Sequence, residues 1–179
     1  GRRGWLPGIW GCAEATLFFL VPDVLLTRVA LDGARPALTC CLWALAGALL
    51  GGTAMHGWGH IEAARARRVL AHVPAIDPEM IDRVGRELSE GGALPMLWGP
   101  LAGTPYKIYA VEAGRLGISL PWFLLVSIPA WAIRFVAVSL LAAWLASLVR
   151  RRWSQKTCQV LHAVFWVIFY GWYFQHFGW

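Results

Sequence analysis

Charged and polar side chains inside apolar stretches of this sequence have the types and spacing to bind an anion. In "AGTPYKIYA", Thr104 is a good N-cap and Pro105 suits the first position of the helix that follows. Unpaired N–H groups at a helix start favour an anion, and Lys107 in the first turn adds a full positive charge. With Tyr106 as a further donor beside the Gly103 turn, the segment predicts a site for a phosphate.

Acidic residues in another apolar stretch are candidate proton carriers. Glu14 and Asp23 flank apolar sequence, where each charge inside a membrane costs roughly 2.5–3.5 kcal/mol on insertion scales unless it is paired or protonated. Arg134 lies near the middle of an apolar run and needs one of these acids as an internal partner. We expect the two acids to exchange protons; the alternative is a set of structural ion pairs with Arg134 and Lys107. Lys107 could also extend to the membrane surface or pair with Glu112.

The composition indicates that a membrane positions these residues. Hydrophobic residues make up 58% of the chain, charged residues 15%, and the mean hydropathy is +0.54. Soluble domains usually carry about 25% charged residues. The 12 tryptophans suit a protein with two membrane–water interfaces. We therefore predict an all-α integral membrane protein in a single domain, residues 1–179.

Three uncharged or nearly uncharged runs are long enough to cross a bilayer as helices. They are residues 37–61, 116–149 and 157–179. Between the first two lies a polar connector, residues 62–92, with two short amphipathic helical patterns separated by the turn signal Asp77-Pro78.

Two further apolar segments, residues 5–31 and 93–115, have helix-breaking centres. The first contains Pro22, and the second contains Gly103 and Pro105. The arms on either side of each break are about half a bilayer long at 1.5 Å per residue. We predict two re-entrant hairpins with tips buried against each other, because broken backbone at membrane depth needs protein or water to cover it. Paired interrupted segments of this kind point to a transporter binding site.

Several other kinds of function are not expected. The arginines cluster beside apolar runs without a basic groove, which argues against nucleic acid. His56 and His60 have helical i,i+4 spacing, but the glycines beside them argue against a rigid metal site. No nucleophile–base set or dinucleotide fingerprint emerges, so we expect neither an enzyme nor a cofactor. The four cysteines are expected to be buried structural thiols.

Two stretches resemble motifs of one membrane-protein superfamily. "AEATLFFLVPDVLL" resembles the first re-entrant motif of the DedA (VTT, SNARE-associated) superfamily, and "GPLAGTPYKIYAVEAGRLGISLPWFLL" resembles its second. The likeness is strongest to the short YqaA-like branch. The resemblance gives Glu14 and Asp23 the roles of the family's embedded acids and Lys107 that of a motif arginine. Fuller members have a pair of arginines, where this chain has Pro100 and Lys107.

The resemblance implies a multi-pass protein of the bacterial inner membrane that flips or scrambles a lipid phosphate with proton coupling. The polyprenyl phosphates and the phospholipids are the two substrate classes it implies. Lys107, Tyr106 and the Gly103–Thr104 turn would then contact the headgroup, with Arg134 keeping the acids in register. The expected partners are phosphate-bearing lipids and protons, and assembly into a homo-oligomer stays open. The alternative function is a non-transporting assembly subunit of a larger membrane complex.

Overall fold

The computed structural model of the protein describes residues 5–18 and 20–177. Within that part the chain forms eight α-helices and one short 3₁₀ helix. The α-helices are α1 (Trp5–Thr16), α2 (Asp23–Ala30), α3 (Ala34–Leu70), α4 (Pro78–Gly91), α5 (Gly99–Ala102), α6 (Tyr106–Arg115), α7 (Leu120–Val149) and α8 (Gln155–Phe177). The prediction of an all-α fold is confirmed.

Two helices, α3 and α7, are long and apolar enough to cross a membrane. They contain the predicted spans 37–61 and, from Leu120 on, 116–149. Helix α3 extends past residue 61, the last residue of the predicted span, to Leu70, with non-helical backbone at Glu62 (φ −136°, ψ 55°) that marks a kink at this position. The charged residues that begin at Glu62 mark a change of surroundings, but alanine, arginine and glutamate are good helix formers.

The predicted run 157–179 forms one helix, α8, up to Phe177, and its last two residues lie outside the described part. Helices α3 and α7 run antiparallel. The Sγ of Cys41 lies 3.4 Å from the carbonyl oxygen of Phe135, and Nε2 of His56 lies 2.8 Å from that of Ile118. Residues further along α3 therefore contact residues nearer the start of α7.

The segment before α3 is interrupted as predicted near Pro22: α1 ends at Thr16, and α2 begins at Asp23. Helix α1 runs parallel to α3. A methyl group placed on Gly47 would meet Gly8, and one placed on Gly51 would meet Cys12, so the contacts advance together along both helices. Between the end of α1 and the start of α3 the chain must therefore travel back about 25 Å along α3 at 1.5 Å per residue.

The segment before α7 is also interrupted at the predicted place. A 3₁₀ helix (Leu94–Leu97) and the four-residue α5 precede Gly103, which has a left-handed backbone (φ 73°) that favours glycine. Pro105 is extended (ψ 136°), and α6 then runs from Tyr106. The chain therefore enters α6 through a sharp, preformed turn.

The polar connector packs onto α6 through α4. The Asp77 side chain caps α4 by accepting a 2.6 Å hydrogen bond from the N–H of Met80, and Gly92 (φ 61°) ends it. The turn signal at Asp77-Pro78 is confirmed. The buried face of α4 carries Ile81 and Val84, so the connector covers one side of α6.

Close contact between α1 and α3 gives a stability prediction. Replacing Gly47 with alanine would place a methyl group on the carbonyl oxygen of Gly8, which is backbone and cannot turn aside. We expect the free energy of unfolding in detergent to fall by about 1–3 kcal/mol, the usual cost of overpacking. Gly57, on the same helix, has nothing within 4 Å of an added methyl group. Gly57→Ala should therefore unfold no earlier than the unmodified protein, and equal losses in both variants would contradict the packing described here.

Candidate functional site

The end of α1 and the start of α6 meet beside the middle of α3. Gly51 lies against Ala15 near the end of α1, and Gly52 lies against the ring of Tyr106 at the start of α6. Both glycines are about 3–5 Å along the helix axis from the centre of the uncharged run 37–61. The end of α1 thus meets the start of α6 near the centre of the uncharged part of α3.

This meeting of helix ends brings Lys107 to Glu14. The Lys107 Nζ lies 3.9 Å from Oε1 of Glu14 and donates a 2.6 Å hydrogen bond to the carbonyl oxygen of Phe18. Lys107 is 2% exposed and Glu14 is 7% exposed. Of the alternatives for Lys107, extension to the surface and a pair with Glu112 are both wrong.

The second ion pair joins Asp23 to Arg134, one of the two acids that the sequence offered as partners. The Asp23 Oδ2 accepts hydrogen bonds from Nη2 (2.7 Å) and Nε (3.2 Å) of Arg134. The Arg134 Nη1 also donates to the carbonyl oxygen of Pro100 at 3.5 Å. Arg134 therefore ties together α2, α5 and α7. The other oxygen of Asp23, Oδ1, is buried and has no hydrogen-bond partner among the described residues.

Both ion pairs line one cavity of about 190 Å³. Gly103, Thr104, Pro105 and Tyr106 form part of its wall, so the cavity lies at the start of α6. Aromatic side chains form much of the rest: Trp131, Trp166, Phe169, Tyr170, Tyr173 and Phe174. All seven predicted site residues line this cavity. The arrangement places two carboxylates, two cations and a helix start around a single cavity.

The local structure of the α6 start differs from the prediction in one respect. Thr104 does not cap the helix: Pro105 occupies the cap position, and no side chain caps α6. The extended backbone of Pro105 moves the start of α6 to Tyr106, beyond the reach expected of Thr104. Thr104 is buried at the cavity instead.

Tyr106 packs against α7 through its ring, and its hydroxyl group is hydrogen-bonded within the protein. The hydroxyl donates a 2.9 Å hydrogen bond to Oγ of Ser127, and the ring stacks on Phe123 with centroids 5.5 Å apart. The same ring lies 4.4 Å from that of Trp131. Tyr106 therefore fastens the start of α6 to α7, and its donor is already used within the protein.

A separate charged network holds α6 to the connector. Glu112 is fully buried; it pairs with Arg115, with Oε2 2.6 Å from Nη2, and also with Arg67, with Oε1 3.0 Å from Nε. Arg67 also pairs with Asp82. Glu112 therefore pairs with arginines in this network, and Lys107 pairs with Glu14 at the cavity.

Histidines and cysteines do not gather into a metal site in the part of the chain that the structure describes. His56 hydrogen-bonds to the backbone of Ile118. Two of the cysteines, Cys41 and Cys158, are buried, and Cys12 and Cys40 are partly exposed; all four are free thiols.

No protein-family model, no curated protein and no solved structure matches this chain.

The sequence did not identify the aromatic wall of the cavity. Trp166 and Tyr170 of α8 line it, and the N–H of Val21 donates a 3.0 Å hydrogen bond to the Tyr170 hydroxyl. These residues are spaced by four along α8, which is a signal for a shared face. An apolar helix rich in aromatic residues, however, has no single side that its sequence marks as inward-facing.

Proposed function

We propose that the protein is embedded in a membrane through three spans, α3, α7 and α8. Large apolar side chains are exposed on all three helices, which a soluble protein would cover. Examples are Leu42, Leu50 and Ile61 on α3, Ile133 and Leu141 on α7, and Val167 and Ile168 on α8. Helix α8 has 23 residues, about 35 Å at 1.5 Å per residue, which exceeds the roughly 30 Å of bilayer hydrocarbon.

We further propose that the interrupted segments 5–31 and 93–115 are re-entrant hairpins. Helix α1 has 12 residues and α6 has 10, about 18 and 15 Å, so each is about half a bilayer long. They lie end to end along α3, and the chain returns between α1 and α3. Two half-length helices from opposite faces, meeting at the level of Gly51 and Gly52, account for this arrangement.

The function that this geometry supports best is the flipping or scrambling of a lipid phosphate. One observation carries the proposal: the ends of two half-length helices bring Lys107 and Glu14 together beside the middle of α3, in a cavity shared with Asp23 and Arg134. Intramembrane charges are costly, and they usually mark a pathway for a polar group. Lys107 and the start of α6 would hold the phosphate, with Arg134 as the second cation.

Proton coupling follows from the balance of charges in the cavity. Glu14 and Asp23 offset Lys107 and Arg134, so the four side chains have a formal charge of zero. An entering phosphate adds negative charge, and protonation of one carboxyl group would offset it. The buried Asp23 Oδ1 has no hydrogen-bond partner among the described residues.

The resemblance to the DedA superfamily supports the same function and a bacterial inner-membrane location. By this resemblance, Glu14 and Asp23 match the family's membrane-embedded acids. Lys107 lies near the position of one motif arginine, and Pro100 lies near the position of the other. Here Arg134 reaches the backbone of Pro100 from α7. A guanidinium group therefore lies beside the place where the second motif arginine is missing.

A second candidate is an assembly subunit of a larger membrane complex. Exposed tryptophans favour it, since tryptophan is enriched in protein interfaces. They include Trp5, Trp43, Trp98, Trp122, Trp144, Trp153 and Trp172. Native mass spectrometry of the detergent-purified protein discriminates between the two: a retained phosphate-bearing lipid supports transport, and stoichiometric protein partners support assembly.

Translocation in liposomes tests the proposal directly. The protein is reconstituted into phosphatidylcholine vesicles containing a fluorescent phosphatidic acid, and dithionite quenching follows its movement between leaflets. We expect Lys107→Ala to lower the rate about 10- to 100-fold, the value of a lost charge-assisted hydrogen bond. Glu14→Gln should also lower it, whereas Lys156→Ala, at an exposed lysine, should not. Unchanged rates in both site variants would remove the proposed site.

A further inference from the structure

A second, larger cavity lies between α2, α7 and α8. Its volume is about 440 Å³, and its wall is almost entirely apolar. Helix α7 contributes Leu141, Ala142 and Leu145, and helix α8 contributes Leu161 and Phe165. The small side chain of Ala142 leaves room that a larger residue would fill. We call this space the apolar slot.

The apolar slot adjoins the charged cavity. Asp23 and Trp166 line both spaces. Along α7 the slot begins at Val138, one helical turn after Arg134, and ends at Val149. The path from Arg134 to Val149 is about 22 Å at 1.5 Å per residue. A charged end and a long apolar channel thus share one face of one helix.

The two spaces extend to opposite ends of the helix bundle. The charged cavity is also lined by Val73, Pro74 and Ile76, which belong to the polar connector after α3. The apolar slot instead reaches Val149 and Cys158, where α7 ends and α8 begins. A molecule that fills both must therefore have a polar group at one end and a long apolar chain at the other.

We propose that the apolar slot holds one hydrocarbon chain of the lipid phosphate whose headgroup occupies the charged cavity, an inference that rests on the proposed function. In the slot the chain contacts apolar side chains of α7 and α8. The headgroup keeps its charge beside Lys107 and Arg134. A lipid entering from the connector side has its chain already directed towards the end of α7. The slot therefore selects single long chains, with any second chain left in the bilayer.

Photolabelling of the detergent-purified full chain tests this placement. The probe is hexadecyl phosphate with a diazirine midway along the chain, and the labelled peptides are identified by mass spectrometry. We expect labels on 138–149 of α7 and 161–165 of α8, removed by excess hexadecyl phosphate. Butyl phosphate, which lacks the chain, and hexadecane, which lacks the headgroup, should not remove them. Labels spread over exposed faces such as Leu42 and Leu50 would overturn the proposal.

A matched pair of variants separates the slot from the rest of α7. Ala142→Trp fills the slot and should lower labelling of the slot peptides about tenfold or more, since the chain loses its contacts there. Ala137→Trp, at an exposed position outside the slot, should leave labelling unchanged. Equal labelling in both variants would overturn the proposal.

Photolabelling and translocation together distinguish failure of the chain site from failure of the proposed function. Slot labelling by a protein that does not translocate phosphatidic acid supports the chain site and rejects transport. Translocation by Ala142→Trp at the rate of the unmodified protein rejects the chain site and leaves transport standing.

Discussion

Replacing Arg134 with methionine is expected to lower the free energy of unfolding by about 3 kcal/mol, the lower end of the range for breaking a buried ion pair. The substitution leaves the Asp23 carboxylate, which is 4% exposed, without the two hydrogen bonds that Arg134 donates. It also removes the link from α7 to the backbone of Pro100. The side chain of Arg134 keeps 24% exposure, which is why the lower end applies. Denaturant unfolding in detergent, followed by circular dichroism, measures the change.

Removing both charges should restore most of the loss. The double variant Asp23→Asn with Arg134→Met is expected to unfold within about 1 kcal/mol of the unmodified protein, because no buried charge is left without a partner. The exposed pair of Arg65 and Glu62 provides the control, and Arg65→Met should change stability by less than about 0.5 kcal/mol. If the double variant were less stable than Arg134→Met, the pair would not be the source of the cost.

Neutralising Glu14 and Lys107 together is expected to preserve the fold and abolish transport. Lys107→Met alone leaves Glu14 buried with its partner removed, so both stability and translocation should fall. The double variant Glu14→Gln with Lys107→Met removes that cost, and its unfolding should lie within about 1 kcal/mol of the unmodified protein. Translocation in the liposome assay should stay about 10- to 100-fold lower, because the phosphate has lost its cation.

This double variant separates a functional pair from a structural one. A merely structural pair predicts that translocation returns with stability. The control makes the same two changes at exposed residues, Glu90→Gln with Lys156→Met, and should leave both quantities unchanged. Recovery of translocation in the Glu14–Lys107 double variant would show that the phosphate does not depend on Lys107.

Local signals in the sequence predicted the interruptions and one of the ion pairs. Pro22 and the Gly103–Pro105 turn disfavour continuous helix, because proline lacks an N–H and a left-handed backbone favours glycine. Arg134 needed an acid at its own depth, and the apolar segments offered few. The pairing with Asp23 was therefore predictable as one of two choices.

Other features depend on contacts that no local pattern records. Arg67 of the connector pairs with Glu112 of α6, and α3 resumes after the kink at Glu62 because the residues that follow favour helix. The start of α6 moved past Thr104 because Pro105 took an extended backbone, although a proline also suits the first turn of a helix. The aromatic residues of α8 line the cavity because one side of that helix faces Asp23, and the sequence does not mark that side.

The pairing of Asp23 with Arg134 has a consequence for the order of synthesis. The two residues are 111 positions apart, so at ribosomal speeds of 5–20 residues per second the acid is made roughly 5–20 s before its arginine. During that interval the nascent first segment lacks the guanidinium group that later neutralises it. A chain that stops short of residue 134 therefore cannot complete this pair, and its Asp23 stays without the guanidinium group.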